Sequence, residues 1–340
     1  MIRISIYKNK KIKLLNYFSF LLILIFCSCC QTISCKSNSD KKEKTVSVKI
    51  LNWNLQTFFD ANFDGNEYPD FKSAKSGWAE QKYVQRLSRL EEVIRETDAD
   101  ILVFEELEKE EQIYDISNRL SGTFNFAKIY GHGFFAKDEH SSIGCAVLSR
   151  FPLGEATVHN IDVRSGTLKQ PSMRPIIKIE IYAKGKTLAL FVNHWKSKSS
   201  GEEESRIWRE KQENLLARLM SSCKTKAKIA CGDFNMDISE FSYHEDSENN
   251  IVFRNKNKNA AVYSPWILPN GELLTPGSYF YKENWERIDH FFAGGNATIS
   301  DFSSETSGSW VDSNGRPFRY KVWSGQGYSD HFPITCVVSF

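Results

Sequence analysis

Apolar positions along the chain come in short runs that stop abruptly at polar residues. Val46 to Leu55 alternates in part and is rich in β-formers, Ile101-Leu102-Val103-Phe104 is apolar throughout, and Ile176 to Tyr182 sets Ile177, Ile179 and Ile181 against Lys178 and Glu180. Alternation of this kind marks half-buried strands, and short unbroken apolar runs mark strands covered on both faces. Leu188 to Val192, Ile229 to Asn235, Arg287 to Phe292 and Ile334 to Phe340 predict further strands, and Phe124 to Ile129 with Ser142 to Leu148 predicts a pair around Gly131, Gly133 and Gly144. Ser149 to Leu153 reads as leaving the sheet. Glu80 to Thr97 repeats Tyr83, Leu87, Leu90 and Ile94 at the period of an amphipathic helix. Glu108 to Leu120 predicts a second helix, and Glu203 to Met220 a third with Ile207, Leu215, Leu216 and Leu219 inward. Asp60 to Gly77, Asp237 to Pro276 and Ser303 to Gly327 are polar and aperiodic, the second with Ala261 to Trp266 partly buried and the third holding Trp310 and Trp323. A strand, a helix and another strand in succession make an α/β unit.

The residues that end these runs carry the candidate chemistry. Asn54 and Gln56 leave the first strand, Glu105-Glu106 the second, Asn193-His194-Trp195-Lys196-Ser197 another, and Gly232-Asp233-Phe234-Asn235 the next. Asp289 opens a strand, and Asp330-His331 precedes the last. Side chains at i and i+2 of an extended chain point the same way, so Asp233 and Asn235 can face one ligand. Singly, each has an ordinary structural reading: turn-forming amides, a structural histidine, a buried tryptophan at 195. Together they are carboxylates, amides and two histidines on one edge of a sheet, a set suited to divalent-metal-assisted attack of water on a phosphate ester. Lys196 and Lys198 stand next to His194 as phosphate contacts, whereas the charges of the following helix read as a solvated face. Asp60, Asp64 and Glu67 do not follow the spacing of a calcium loop and read as a solvated acidic loop.

Composition adds a leader to this picture. Residues 1–28 combine a basic start (Arg3, Lys8, Lys10, Lys11, Lys13) with the mostly apolar Leu14 to Phe26, the pattern of a signal peptide. Cys27, Cys29 and Cys30 follow it as in bacterial lipoprotein processing sites, with Cys29 after Ser28 the better match. Residues 29–45 form a polar tether and 46–340 one large domain. The expected location is therefore exported, either as a cell-envelope lipoprotein anchored in the membrane or as a secreted protein. The formal charge of +2 becomes −3 without the leader, which excludes a basic protein that coats nucleic acid indiscriminately. Cys145, Cys223, Cys231 and Cys336 match no zinc spacing and read as buried thiols, a disulfide being the alternative in an exported chain.

The ordered set Asn52-Trp53-Asn54-Leu55-Gln56, Asp100 to Glu106, Asn193 to Ser197, Gly232 to Asn235, Arg287-Ile288-Asp289 and Ser329-Asp330-His331 resembles the endonuclease/exonuclease/phosphatase superfamily, the group of pancreatic-type deoxyribonucleases and abasic-site endonucleases. It spans Leu51 to Pro333, and its Asn-His-Trp-Lys-Ser form is similar to that of secreted bacterial nucleases in the group. The resemblance implies an α/β (α+β) fold, a four-layered sandwich of two mostly antiparallel β-sheets flanked by helices. It also implies that Glu106 binds Mg²⁺ (or Mn²⁺ or Ca²⁺), with Asn54 beside it and Asp330 near. His331, oriented by Asp289, is then general base or polarises the attacking water, Asp233 assists proton transfer and Asn235 holds a phosphate oxygen. His194 contacts the phosphate and protonates the leaving oxygen, and Arg174 resembles a phosphate-contacting arginine, with Lys196 beside it in the substrate-phosphate set. Three positions depart from the pattern: Gln56 replaces a carboxylate of the abasic-site enzymes, Glu105 a common glutamine, and His290 a common aromatic residue. The expected function is that of a monomeric metal-dependent nuclease with nucleic acid, DNA first, as substrate. A phospholipid or sphingolipid phosphodiesterase, a small-molecule phosphatase on the same fold, and a non-enzymatic binding protein are the alternatives.

Overall fold

Alternation in the first strand sets up a layer on each of its faces. In β1 (Ser47–Phe58) Val48 and Ile50 enter one core, while Leu51, Trp53 and Leu55 enter another on the opposite face. The second core is closed by α1 (Glu80–Thr97), whose Tyr83, Leu87, Leu90, Val93 and Ile94 are buried as the periodicity predicts. The chain returns in β2 (Ile101–Leu107), parallel to β1, and passes into α2 (Glu111–Ser121). Described in this computed structural model are Arg3–Ile4 and residues 44–122, 128–161, 170–198, 201–243 and 250–340. Apart from those first two residues and the last two of the tether, the leader and tether lie outside that set.

β3 (His132–Ala136) and β4 (Gly144–Ser149) form the antiparallel pair beside β2. The sequence placed the first member of that pair at Phe124 to Ile129. Residues 124–127 lie outside the described set, and the partner of β4 begins later, with Gly133 inside the strand rather than in a turn. A Cβ at Gly133 would come within 2.7 Å of the Ile113 side chain, so glycine there lets α2 lie directly on the strand. After β5 (Leu153–His159) come β6 (Ile176–Ala183), β7 (Lys186–His194), α3 (Glu202–Ser222), β8 (Ala227–Asp233), β9 (Asp289–Gly295), β10 (Thr298–Ser304) and β11 (Ile334–Ser339).

One sheet has the order β3-β4-β2-β1-β11-β10, with Arg3–Ile4 at the β3 edge, and the other β9-β8-β7-β6-β5. All pairings between the strands labelled here are antiparallel except β1 with β2 and β7 with β8. Each parallel pair is joined across a helix, because parallel neighbours need a long crossover. The sheets pack face to face through Val48, Ile50, Ile101, Val103, Ile179, Val192, Ile229 and Ile334, and α1 with α2 covers one outside face while α3 lies against the other sheet. The fold is the mixed α/β sandwich expected. Of the four cysteines among the described residues, Cys145, Cys231 and Cys336 are buried in the intersheet core, Cys223 is half-buried, and all four are free thiols.

Candidate active site

Parallel pairing decides where the polar strand ends meet. The carboxyl ends of β1 and β2 emerge side by side, as do those of β7 and β8, while the antiparallel β9 and β11 begin at that same edge. In register, Asp233 lies between His194 and Asp289 in neighbouring strands. Gly232 faces Asn193, has φ 137°, and would place a Cβ 1.8 Å from the Asn193 carbonyl oxygen, so a side chain there would force β7 and β8 apart. The exits themselves are bent. Gln56, Thr57, Glu106 and Asn235 have φ of 51°, 51°, 69° and 48°, left-handed backbone that costs a non-glycine residue roughly 1 kcal/mol or more and recurs at functional sites. The turn at Glu106 separates it from its neighbour. Glu105 is fully buried between the sheets, where Asn52 Nδ2 approaches its Oε2 at 3.5 Å, and Glu106 enters an open cleft.

Contacts across the two sheets assemble the site. Asn54 Nδ2 donates to Asp233 Oδ2 at 3.0 Å and reaches Glu106 Oε1 at 3.4 Å. His194 Nε2 stands 3.7 Å from Glu106 Oε1 and 3.6 Å from Asp233 Oδ2. The Asn235 backbone N–H and side-chain amide both donate to Asp233, at 2.8 and 3.0 Å. On the other side, His331 Nδ1 meets Asp289 Oδ2 at 2.8 Å, and the same oxygen accepts the Ser278 hydroxyl at 2.6 Å. Tyr279 lies over the His331 ring, with centroids 4.7 Å apart. Ser329, the residue before Asp330-His331, donates to the Asn54 carbonyl and accepts the His331 N–H, which ties the last loop to β1.

Burial and charge then set the protonation states. Burial pushes Asp233 up to about 7, with Asp289 adding to the rise and His331 and the amides of Asn235 and Asn54 opposing it. For His331 burial favours the neutral ring, but the charge and hydrogen bond of Asp289, with Asp233 and Asp330, overcome it and hold the proton on well above the usual range. His194 goes the other way: burial first, then Arg174 and His331, keep it neutral. The two histidines of the site are thereby split into a charged and a neutral one.

The hard oxygen for a divalent cation stands at Glu106. Its Oε2 accepts the Thr57 N–H at 2.6 Å, while Oε1 faces the cleft with Asn54 Nδ2 at 3.4 Å and His194 Nε2 at 3.7 Å, a carboxylate oxygen that fits Mg²⁺, Mn²⁺ or Ca²⁺. Asp233, Asp289 and His331 also bring ligand atoms within 4.8 Å of one another, with Asp289 Oδ2 and His331 Nδ1 bonded to each other. Asp330 lines the cleft with Arg319 3.9 Å from it.

The cleft, about 1300 Å³, gathers Asn54, Glu106, Arg174, His194, Asp233, Asn235, Asp330 and His331, with Asp289 buried beneath His331. Lys196 is half-buried and outside the lining, whereas Lys198 is part of it. Trp195 is core: it is fully buried, donates to Asn193 and packs on Phe234 at 4.7 Å. His290 is also core, its Nε2 on the Met236 carbonyl at 2.9 Å. Tyr68, Tyr279, Tyr281, Arg319 and Lys321 rim the cleft beside Trp323 and were missed, because they stand on loops or, for Tyr279 and Tyr281, on a three-residue strand too short to show a period. Of the two loop tryptophans, Trp310 is buried and Trp323 is 67% exposed.

The model of the Endonuclease/Exonuclease/phosphatase family matches residues 51–331. No curated protein matches the chain significantly. Among solved structures, truncated TDP2 of Caenorhabditis elegans is similar at 16% identity and a TM-score of 0.53, covering 86% of this chain and 97% of that one. TDP2 of D. rerio complexed with a single-strand DNA product gives 15% and 0.54, covering 86% and 98%. The human Nocturnin catalytic domain with a bound sulfate anion gives 18% and 0.53, covering 87% and 96%. At these identities the likeness is one of fold.

Proposed function

We propose, on the premise that this chain belongs to the endonuclease/exonuclease/phosphatase family, that it is an exported nuclease. The family consists of hydrolases of phosphodiester bonds, typically metal-dependent, and the chain is a hydrolase of that type. The observation that carries the nucleic-acid reading is the cleft wall. Arg174, Lys198, Arg319 and Lys321 line it together with Tyr281 and the exposed Trp323, a pairing of cations for a phosphate backbone with flat rings for bases. A similar fold in D. rerio TDP2 is complexed with a single-strand DNA product, which favours DNA. With Trp310 buried, Trp323 alone is a small foothold for a lipid surface, so the phospholipid reading ranks second.

Glu106 and Asn54 would hold the divalent ion, which supplies Lewis-acid stabilisation of charge on the phosphate oxygens. His331, aligned by Asp289, takes the proton of the attacking water, and Asp233 lies beside it as the carboxyl that relays it. Asn235 donates to a phosphate oxygen. Neutral His194 hydrogen-bonds the phosphate through its ring N–H, and the proton for the leaving oxygen comes from the Asp233 carboxyl, which burial keeps protonated. Because Asp289 and Asp233 hold the His331 proton on, the rate rises with pH as that proton leaves.

The direct test incubates the purified chain with plasmid DNA and Mg²⁺, with and without chelator, beside RNA and sphingomyelin vesicles. DNA cleavage that stops with chelator and falls about 10²-fold or more in His331→Ala is the expected result. Cleavage that survives His331→Ala, or faster turnover of sphingomyelin, overturns the reading. Export rests on the basic and apolar leader and on Cys29 behind it. Fractionation of expressing cells checks this: the wild type should sediment with membranes and Cys29→Ser should leave them, and a wild type confined to the cytosol refutes it.

A further inference from the structure

Outside the catalytic cleft, the loop after β1 gathers carboxylates that the chemistry above does not use. Asn62 completes a spacing that Asp60, Asp64 and Glu67 alone do not make: Asp60, Asn62, Asp64 and Gly65 stand at the first, third, fifth and sixth positions of a calcium loop. Gly65 has φ 98°, the turn that sixth position requires. The closing glutamate of such a loop is absent, since Phe71 stands there and is buried in the core. Two other carboxylates take up that role. Asp64, Glu67 and Glu108 each bring an oxygen within 4.8 Å of the others, Glu108 arriving from the exit of β2.

Glu108 points to a ligand independently of that cluster. Its side chain is fully buried, and its Oε2 accepts the Asp60 N–H at 2.8 Å, but its Oε1 is buried without a hydrogen-bond partner. What stands near is the Lys109 ammonium, 3.9 Å from Glu108 Oε1, 3.0 Å from Asp60 Oδ2 and 3.7 Å from Asp64 Oδ2. The ammonium pairs with Asp60 but stands too far from Asp64 and from Glu108 Oε1 to hydrogen-bond either. An ion with oxygen ligands at about 2.3–2.6 Å would satisfy Asp64, Glu67 and Glu108 together. Lys109 is 20% exposed, which gives it a way out to solvent.

We propose that Asp64, Glu67 and Glu108, with Asp60 beside them, form a second divalent-cation site, selective for Ca²⁺, in the place that the Lys109 ammonium holds. All its donors are carboxylate oxygens and one side is an exposed loop, the combination that suits Ca²⁺ better than the smaller, strictly octahedral Mg²⁺. The site is separate from the catalytic one but coupled to it by the chain. The loop continues into Tyr68, and Tyr68, Asp70 and Phe71 line the cleft together with Arg174. Calcium here fixes the wall against which the substrate phosphate lies.

The test uses the full chain with Glu106→Gln, which silences the catalytic cation, and titrates it with Ca²⁺ by calorimetry. One Ca²⁺ per chain is expected, weakened about tenfold or more by adding Asp64→Asn, and tightened about tenfold by adding Lys109→Met, which removes the competing charge. A second measurement needs no catalytic variant. Tb³⁺ in excess Mg²⁺ should luminesce on excitation of Trp78, whose Nε1–H bonds the Asp60 carbonyl at 2.6 Å, and Ca²⁺ should quench it. No binding at millimolar Ca²⁺, or binding unchanged by Asp64→Asn, overturns the proposal and leaves Lys109 as the cation of this loop.

Discussion

Asp233 keeps its proton at a pH where an exposed aspartate has lost it. Burial is the main cause, so the neutral acid is favoured in the fold and the charged form in the unfolded chain. The sign follows: the folded value, about 7, lies above the ordinary 3.8, so the stabilisation is complete below 3.8 and is lost as the pH rises through about 7. Without metal, Asp233→Asn should therefore melt at a higher temperature than the wild type at about pH 8, by roughly 2 °C or more, with the gap closing toward about pH 5. The same variant should lose most DNA cleavage. Calorimetric melts across that range with chelator present check the first statement, and a constant gap would contradict it. At this scale the sequence was informative because strand exits are. An apolar run that ends in a carboxylate or histidine names the residue whose backbone is fixed and whose side chain is at an edge, as with Glu106, His194 and Asp233. It does not name the backbone turn. Nothing in Glu105-Glu106 says which one lies between the sheets, since the choice is made by the left-handed turn at Glu106.

Among the elements, α1 does more than cover the sheet. Arg86, fully within its buried face, sends its guanidinium to the carbonyls of Leu55, Gln56 and Thr57 at 2.6, 2.9 and 2.9 Å and lies between the rings of Phe58 and Tyr320. These are the carbonyls freed where β1 bends into the site. A side chain from the helix thus takes the partners that a straight strand would have offered its neighbours. Arg86→Met should lower stability by about 2–4 kcal/mol in urea unfolding, through buried carbonyls left unpaired. It should lower cleavage further than the loss of folded protein accounts for, because Asn54 and Thr57 lose their support. An unchanged urea midpoint would show that water replaces the guanidinium. Position 86 falls on the apolar face set by Tyr83 and Leu90, so its burial was legible in the period while its task was not. Two of the strands that escaped notice share a different cause. β5 and β10 are edge strands, half wet along their length, and carry too few apolar residues to register as runs.

For the whole molecule, two parallel pairs among antiparallel ones are what turns separate motifs into a site. The motifs are far apart in sequence, and their order along the chain was legible. The cleft was not, because its rim is built from the segments 68–71, 279–286 and 319–323, too short or too irregular to show a period. The proposed catalytic groups are divided between the sheets: Asn54, Glu106 and His331 belong with one, and His194, Asp233 and Asp289 with the other. The contacts of Asn54 with Asp233, His194 with Glu106 and His331 with Asp289 join one half to the other. The half that holds β1 is also completed late, since β1 pairs with β11, the last of the labelled strands. A nascent chain that stops short of β11 therefore carries most of the motifs and no assembled cleft. The order of the strands holds the hydrolase inactive during synthesis until His331 and β11 have been made.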